Sequence, residues 1–539
     1  MSTHSRASVL SLALLAAPAL AVDDATTQAI SRLESALARQ EAQLAAQSAQ
    51  LEAQRHEIAS LRQLVETSHG ANAVTQEALA AVRTEQQLSK LQQQETPRWS
   101  LAGARPTLSA ADGRSTLSLR ALTQLDSGWY DQGEAGPLST DFRRGSTGIG
   151  SSRESAAASD LSSSTNFRRA RLGLEGNVAR DFGYRFMAEF GGSGSESQTR
   201  INDAWVSYNG FAPFTLQMGA FAPPANMDDG TSPEDTLFPE RASPAELSRA
   251  LAGADGRVGA GIRANGARWM GALTLTGATT GEGESYDEQR AVVGRLGLLV
   301  LEGQDNAWNL HLGASGSYVF RPSDQGGPTG RYAIRLRDRP ELRLDGTRLI
   351  DTGPLDADSA WVGGLELGAN WRNFYLQGES FRFGVERRDR SLEDPDFDGY
   401  YLQGSWVITG ERRRYNPVSG AFHAPRPMTP FSASGGWGSW ELAWRFSHTD
   451  LDFDAGRPGL PASPSAVRGG IQDIRSIGLN WAVNNNLKLM LDYMRVEVER
   501  LNPAMTGAQP FGPSPLTPPE GAQIGQDLDI YTLRTQFAL

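Results

Sequence analysis

Two hydrophobic periods divide this chain. Between Asp24 and Ser68, Ile30, Leu37, Leu44, Leu51, Ile58 and Val65 recur every seven residues, with Leu33, Gln40, Gln47, Gln54 and Leu61 three positions after the first five. Such a repeat is the seam of a helical coiled coil, and the Ala, Gln, Glu and Leu around it, without Gly or Pro, suit a long helix. Gln at three successive second-core positions weakens the seam but favours one register, so the expected partners are further copies of the chain in parallel. The segment would reach roughly 65 Å at 1.5 Å per residue. His69-Gly70-Ala71-Asn72 interrupts the pattern and predicts a break, with a second helix from Val74 to Leu91. The competing reading is an Ala/Gln-rich linker without fixed structure.

After Pro97 a two-residue period takes over and persists to Leu539. Phe182, Tyr184, Phe186, Ala188 and Phe190 form one face, and Gly183, Arg185, Met187 and Glu189 the other. The alternation returns at Phe214 to Ala220, Trp308 to Ala314, Leu365 to Trp371, Trp440 to Phe446, Ile477 to Val483 and Leu487 to Tyr493. Segments of about ten residues with one oily face and aromatic ends match tilted strands crossing a bilayer. Short connections, such as Ala179-Arg180-Asp181, Gly210-Phe211-Ala212 and Asn484-Asn485-Asn486, alternate with long ones rich in Gly, Pro, Ser and Asp. Short periplasmic turns and long outer loops give that alternation. The pattern predicts an all-β transmembrane barrel of about sixteen antiparallel strands over 97–539, closing on a strand from Leu528 to Leu539, preceded by an α-helical coiled coil over 22–95. A soluble sandwich or propeller is the alternative, since its strands also have period two.

The N-terminus locates the chain. His4 and Arg6 precede the apolar run Ala7 to Leu20, and Ala19-Leu20-Ala21 offers a small-residue cleavage site, so residues 1–21 read as a signal peptide. The run is short for an uncleaved anchor, and no later apolar stretch reaches spanning length, which argues against a helical inner-membrane protein. The expected location is the bacterial outer membrane, with the N-terminal segment in the periplasm.

Composition then narrows the function. The 51 basic and 62 acidic residues leave a net charge of −11, which argues against nucleic-acid binding. There is no cysteine, so thiol catalysis, Cys-ligated zinc and disulfides are excluded. The six histidines include no H-E-x-x-H motif, Asp394 to Asp398 lacks calcium-loop spacing, and Gly313-Ala314-Ser315-Gly316 does not complete a nucleophile elbow. No catalytic site, metal site or cofactor is expected, and the chain does not read as an enzyme.

Parity along the strands nominates the lumen. With Leu172 and Leu174 toward lipid, Arg169 and Arg171 point inward. The same logic turns Arg120, Arg185, Arg257, Arg263 and Arg445 into the lumen. Guanidinium groups stay charged and bind phosphate through two donors, so a ladder of them would concentrate small anions. Alternatively they pair with inward Glu175, Glu189 and Glu441 and leave little field. The connection from Ala222 to Gly256 is too long for a structureless loop and reads as a constriction loop folded into the pore. It carries Arg241 and Arg249, but also Asp228, Asp229, Glu234, Asp235, Glu240 and Glu246. The competing reading is an outer loop of solvated charge.

Arg168 to Gly176 (RRARLGLEG), Asp203 to Val206 (DAWV) and Asn209 to Phe214 (NGFAPF) together resemble the phosphate-selective porin family, porins O and P. Gly399 to Glu411 and Gly435 to Ser447 resemble its later segments, and the likeness runs from about residue 115 to 539. It implies a sixteen-stranded homotrimeric channel favouring anions, phosphate or polyphosphate in the type members, with a long third loop in the lumen. Those members use lysines along the pore, whereas the only lysines here are Lys90 and Lys488, and their barrel has no coiled coil ahead of it. The expected function is passive diffusion of small anions across the outer membrane. The alternative is a structural envelope protein whose coiled coil tethers the membrane to peptidoglycan.

Overall fold

The computed structural model describes residues 24–102, 105–132, 161–192, 199–281, 286–304, 307–324, 326, 331–503 and 520–539. The expected signal peptide lies outside them. The chain divides into two units, one ending at Gln94 and one beginning at Glu95.

The first unit is a single helix, α1 (Asp24–Glu95, 72 residues). The break expected at His69 to Asn72 is not there. One glycine inside a helix costs only about 1 kcal/mol against alanine, and strong helix formers flank Gly70 on both sides. At 1.5 Å per residue the helix is about 108 Å long. Its seam is bare, with Ile30, Leu37, Leu44, Leu51 and Ile58 each more than half exposed. No helix among the described residues is long and apolar enough to cross a membrane.

The second unit is a closed barrel of sixteen antiparallel strands. In chain order these are β1 (Thr116–Asp131), β2 (Ser164–Val178), β3 (Phe182–Glu189), β4 (Arg200–Phe211), β5 (Phe214–Phe221), β6 (Arg257–Asn265), β7 (Trp269–Thr279) and β8 (Arg290–Glu302). They continue as β9 (Trp308–Arg321), β10 (Leu355–Trp371), β11 (Phe374–Arg387), β12 (Asp396–Val407), β13 (Ser439–Phe453), β14 (Val467–Ala482), β15 (Leu487–Glu499) and β16 (Asp527–Ala538). Each pairs with its neighbours in sequence, and β16 returns to β1 from Asp529 opposite Asp131 to Ala538 opposite Leu122, which removes every open edge.

The outer surface is the oily face that the alternation foretold. Leu172, Leu174, Phe186, Leu273, Leu296, Leu365 and Leu491 stand exposed on it. Around the short turns, Trp308, Trp371, Phe374 and Trp406 occupy one rung across β9 to β12, and Trp440 stacks on Trp481 with ring centroids 5.0 Å apart. Toward the long loops, Tyr493, Tyr531 and Trp129 form a second rung. Two aromatic belts with leucine between them are the mark of a bilayer-spanning barrel.

The interior departs from a uniformly polar wall. Toward the long loops the polarity of β11 inverts: Ser380 and Arg382 face out, while Phe381 and Phe383 are buried inside. Leu528 and Ile530 of β16 are likewise turned inward and buried. They pack against Leu336, Leu342, Leu349 and Ile350 of the connection between β9 and β10, so this end of the lumen holds a protein core. The short-turn end has its own exception to the expected pattern. The connection from β12 to β13 is long, and residues 414–423 of it form a small hairpin, Arg414–Asn416 paired with Ala421–His423.

Candidate permeation pathway

The segment after β5 enters the lumen because barrel side chains hold its backbone there. It is not structureless, for it contains a short turn of helix, α2 (Met227–Gly230), and α3 (Ser243–Ala252). Glu379 of β11 accepts the amides of Met227 and Asp228 at 2.8 and 2.9 Å. Gln124 of β1 donates to the Pro233 carbonyl at 3.0 Å, Lys488 of β15 to that of Glu234 at 3.0 Å, and Asn480 of β14 to that of Leu237 at 2.9 Å. A backbone held from β1, β11, β14 and β15 crosses the barrel.

Glu240 is the main fastener. Its carboxylate accepts two hydrogen bonds from Arg168 at 2.6 and 3.0 Å, and lies 3.3 Å from Arg534, 3.4 Å from Arg343 and 3.8 Å from Arg169. Burial would raise its pKa, but these arginines hold it well below the usual carboxylate range. Parity placed Arg169 and Arg171 inward and missed Arg168. A bulge where Gln124 pairs with Arg169 and Leu125 with Phe167 turns Arg168 inward as well.

The hairpin 414–423 meets the constriction loop from the short-turn end. Fully buried Arg295 of β8 donates to the carbonyls of Ser419 at 2.6 Å and Gly420 at 2.8 Å while holding Glu366 through three contacts of 2.9 to 3.2 Å. Arg413 binds Glu441 at 2.8 and 3.0 Å and the Asp235 carbonyl at 2.8 Å. His423 reaches Asp235 at 2.6 Å, and this hydrogen bond raises the imidazole pKa. None of these contacts was legible in the sequence, because they join residues 28 to 188 positions apart.

Between the two inserts and the wall lies a cavity of about 1260 Å³ opening toward the short turns. Arg120, Arg171, Arg185 and Arg263 line it, with Arg241 of the constriction loop. Most are paired. Arg171 binds Glu189 and Asp255, each at 2.6 Å; Arg185 binds Glu175 at 2.6 Å; Arg120 lies 3.7 Å from Glu175 and 3.5 Å from Glu234. Arg105, ahead of the barrel, also reaches Glu175 at 3.3 Å, so three guanidiniums share one carboxylate. Arg263 has no ion pair among the described residues.

The other nominated arginines sit elsewhere. Arg169 is buried and donates to Gln124 at 2.7 Å, and Arg257 donates to the carbonyls of Gly253 and Gly277, both at 2.9 Å. Arg445 donates to the Glu240 carbonyl at 3.0 Å, pairs with Glu341 and covers the Phe238 ring at 4.5 Å. Arg241, which does line the cavity, also donates to the carbonyls of Asp228 and Thr231, both at 3.2 Å. Arg249 is buried among Asp229 at 2.6 Å, Asp255 at 2.9 Å and Glu246 at 3.3 Å. Among the described residues no group of three His, Asp or Glu side chains is placed to hold a metal ion.

Solved structures similar in outline include an anion-selective porin from Comamonas acidovorans, with a TM-score of 0.43 and 11% identity over 79% of this chain and 100% of that one. OmpT, an outer membrane protein of Vibrio cholerae, has a TM-score of 0.43 and 8% identity over 79% of this chain and 98% of that one. In sequence, Porin O of Pseudomonas aeruginosa is 25% identical over 358 residues, covering 62% of this chain and 77% of that protein. Residues 151–513 match the family described as phosphate-selective porin O and P. With sixteen closed strands, two aromatic belts and a loop after the fifth strand that crosses the lumen, this chain belongs to the phosphate-selective porin O and P family.

Proposed function

We propose that the protein is a passive outer-membrane channel for small anions, with α1 in the periplasm. The carrying observation is the charge of the cavity wall in a chain whose net charge is −11. Nine arginine and lysine side chains line the cavity, against seven aspartates and glutamates and the C-terminal residue Leu539. The surplus is also unevenly paired. Arg414 and Arg426, on the inserted hairpin connection, are exposed, and like Arg263 they have no carboxylate partner among the described residues. A wall of low dielectric focuses such charge into the aqueous path. Phosphate and polyphosphate are candidate solutes because guanidinium matches phosphate oxygens.

Replacing Arg414 and Arg426 together by glutamate inverts the charge balance of the lining. We expect the preference for chloride over potassium in planar bilayers to fall by roughly threefold, from the change in local potential. Exposed substitutions of this kind shift stability by only about 0.5 kcal/mol. An unchanged preference would mean that the short-turn vestibule does not select ions.

We further propose that the bare seam of α1 pairs with other copies to support a homotrimer. Its length would also suit a tether to peptidoglycan. Deleting residues 24–91 is expected to leave a folded barrel whose trimers dissociate more readily in mild-detergent electrophoresis. Equal trimer content with and without the helix would remove the assembly role, and retention of the full chain on peptidoglycan would favour the tether.

A further inference from the structure

One rung of the cavity wall carries no charge-only chemistry. Across β3 to β6, Arg185 stands opposite Trp205, Trp205 opposite Gly219, and Gly219 opposite Gly259. Exposed Val206 takes the outer face, so Trp205 points inward, half-buried, into the cavity. Gly219 has φ +127°, and a Cβ there would lie 2.7 Å from the Trp205 Cα, while one on Gly259 would lie 2.5 Å from the Leu275 carbonyl oxygen. Glycine is therefore required at both positions, and neither places a side chain beside the indole.

A guanidinium lies against the ring, and a second lines the same cavity. The Arg185 guanidinium lies 5.5 Å from the indole centroid and is fixed there by Glu175 at 2.6 and 3.0 Å. Arg263 lines the same cavity without an ion pair among the described residues. Asp203, the nearby acid on β4, is largely buried and accepts from Asn202 at 2.9 Å.

We infer that Trp205, Arg185 and Arg263 form a binding pad for organic anions with a planar apolar body, aromatic carboxylates being the simplest class. An inorganic anion engages only the guanidiniums, whereas an aromatic carboxylate also covers the indole face. A cation drawn to the ring would meet the Arg185 guanidinium, and a neutral aromatic would leave that guanidinium unused. This inference rests on the anion-channel reading.

The test uses the full-length protein in planar bilayers, titrating chloride current with benzoate, acetate and inorganic phosphate. Benzoate should halve the current at a concentration roughly fivefold lower than acetate, the size of one aromatic contact. Trp205→Ala should erase that ratio, Trp205→Phe should keep part of it, and Arg263→Gln should weaken both anions together and leave it. Equal benzoate and acetate in the native protein, or a ratio that survives Trp205→Ala, would overturn the pad. A potassium-chloride gradient across the same bilayer separates the two readings: a cation-selective pore defeats the channel proposal, while an anion-selective pore with no benzoate preference defeats only the pad.

Discussion

Glu240→Gln should unfasten the constriction loop. The substitution keeps the shape of the side chain and removes one charge, leaving Arg168 without its bidentate partner and Arg534, Arg343 and Arg169 with an uncompensated excess. Breaking a buried pair from one side costs about 3–5 kcal/mol, because the remaining charge stays desolvated. We expect a lower thermal midpoint and a larger single-channel conductance, since the loop is no longer held at its centre. The acid response of the native protein has the opposite character. The Glu240 pKa is depressed in the fold, so its contribution is fully present above the unfolded value of about 4.3 and is lost only as pH falls through the lower folded value. The native loop should therefore stay closed at pH 5. A Glu240→Gln channel of native conductance and native midpoint would show that the loop is held by other contacts.

Arg295→Met should release the hairpin at the other end and damage the wall as well. Arg295 and Glu366 are both fully buried, and His311 adds only a 3.3 Å contact to the carboxylate. Methionine fills much of the volume but leaves Glu366 charged and unpaired, at a cost again of about 3–5 kcal/mol. It also leaves the carbonyls of Ser419 and Gly420 without their donor. Trypsin should then cut after Arg414, a bond the native hairpin holds in a paired strand. The double variant Arg295→Met, Glu366→Leu separates the two effects, because it removes the orphaned charge. We expect it to regain most of the lost stability while the hairpin remains cleavable. Native trypsin resistance in the double variant would mean that Arg413 and His423 hold the hairpin without Arg295.

The sequence made the barrel legible because the bilayer writes directly onto it. Outward positions inside the hydrocarbon layer must be apolar, so Phe182, Leu216, Trp308, Leu365 and Leu491 announce their strands with no reference to the rest of the chain. That the connection from Ala222 to Gly256 carries structure of its own was readable from its length, since it is too long to stay unstructured. Parity failed where the lumen is filled with protein. Phe381, Phe383, Leu528 and Ile530 face inward because inserted loops cover them, and the strand pattern carries no notice of a loop folded back from elsewhere. A β-bulge shifted Arg168 out of its expected phase, as one inserted residue does.

The candidate pathway was less readable than the fold for a related reason. Arg171 and Arg445 have the same local pattern, an arginine between outward apolar residues, yet one lines the cavity and the other lies against Phe238 and Glu341. What separates them is whether the constriction loop passes over them, which is a long-range fact. The helix itself was legible in the segment's composition, but Gly70 was given too much weight against the helix formers around it.

If surplus, unevenly paired guanidinium charge makes this pore prefer anions, the zero-current potential of the purified full-length protein under a potassium-chloride gradient will register it. The sign of the potential should report chloride as the more permeant ion, and its size should shrink as ionic strength rises and screens the wall. A potential of the opposite sign at low salt would contradict it.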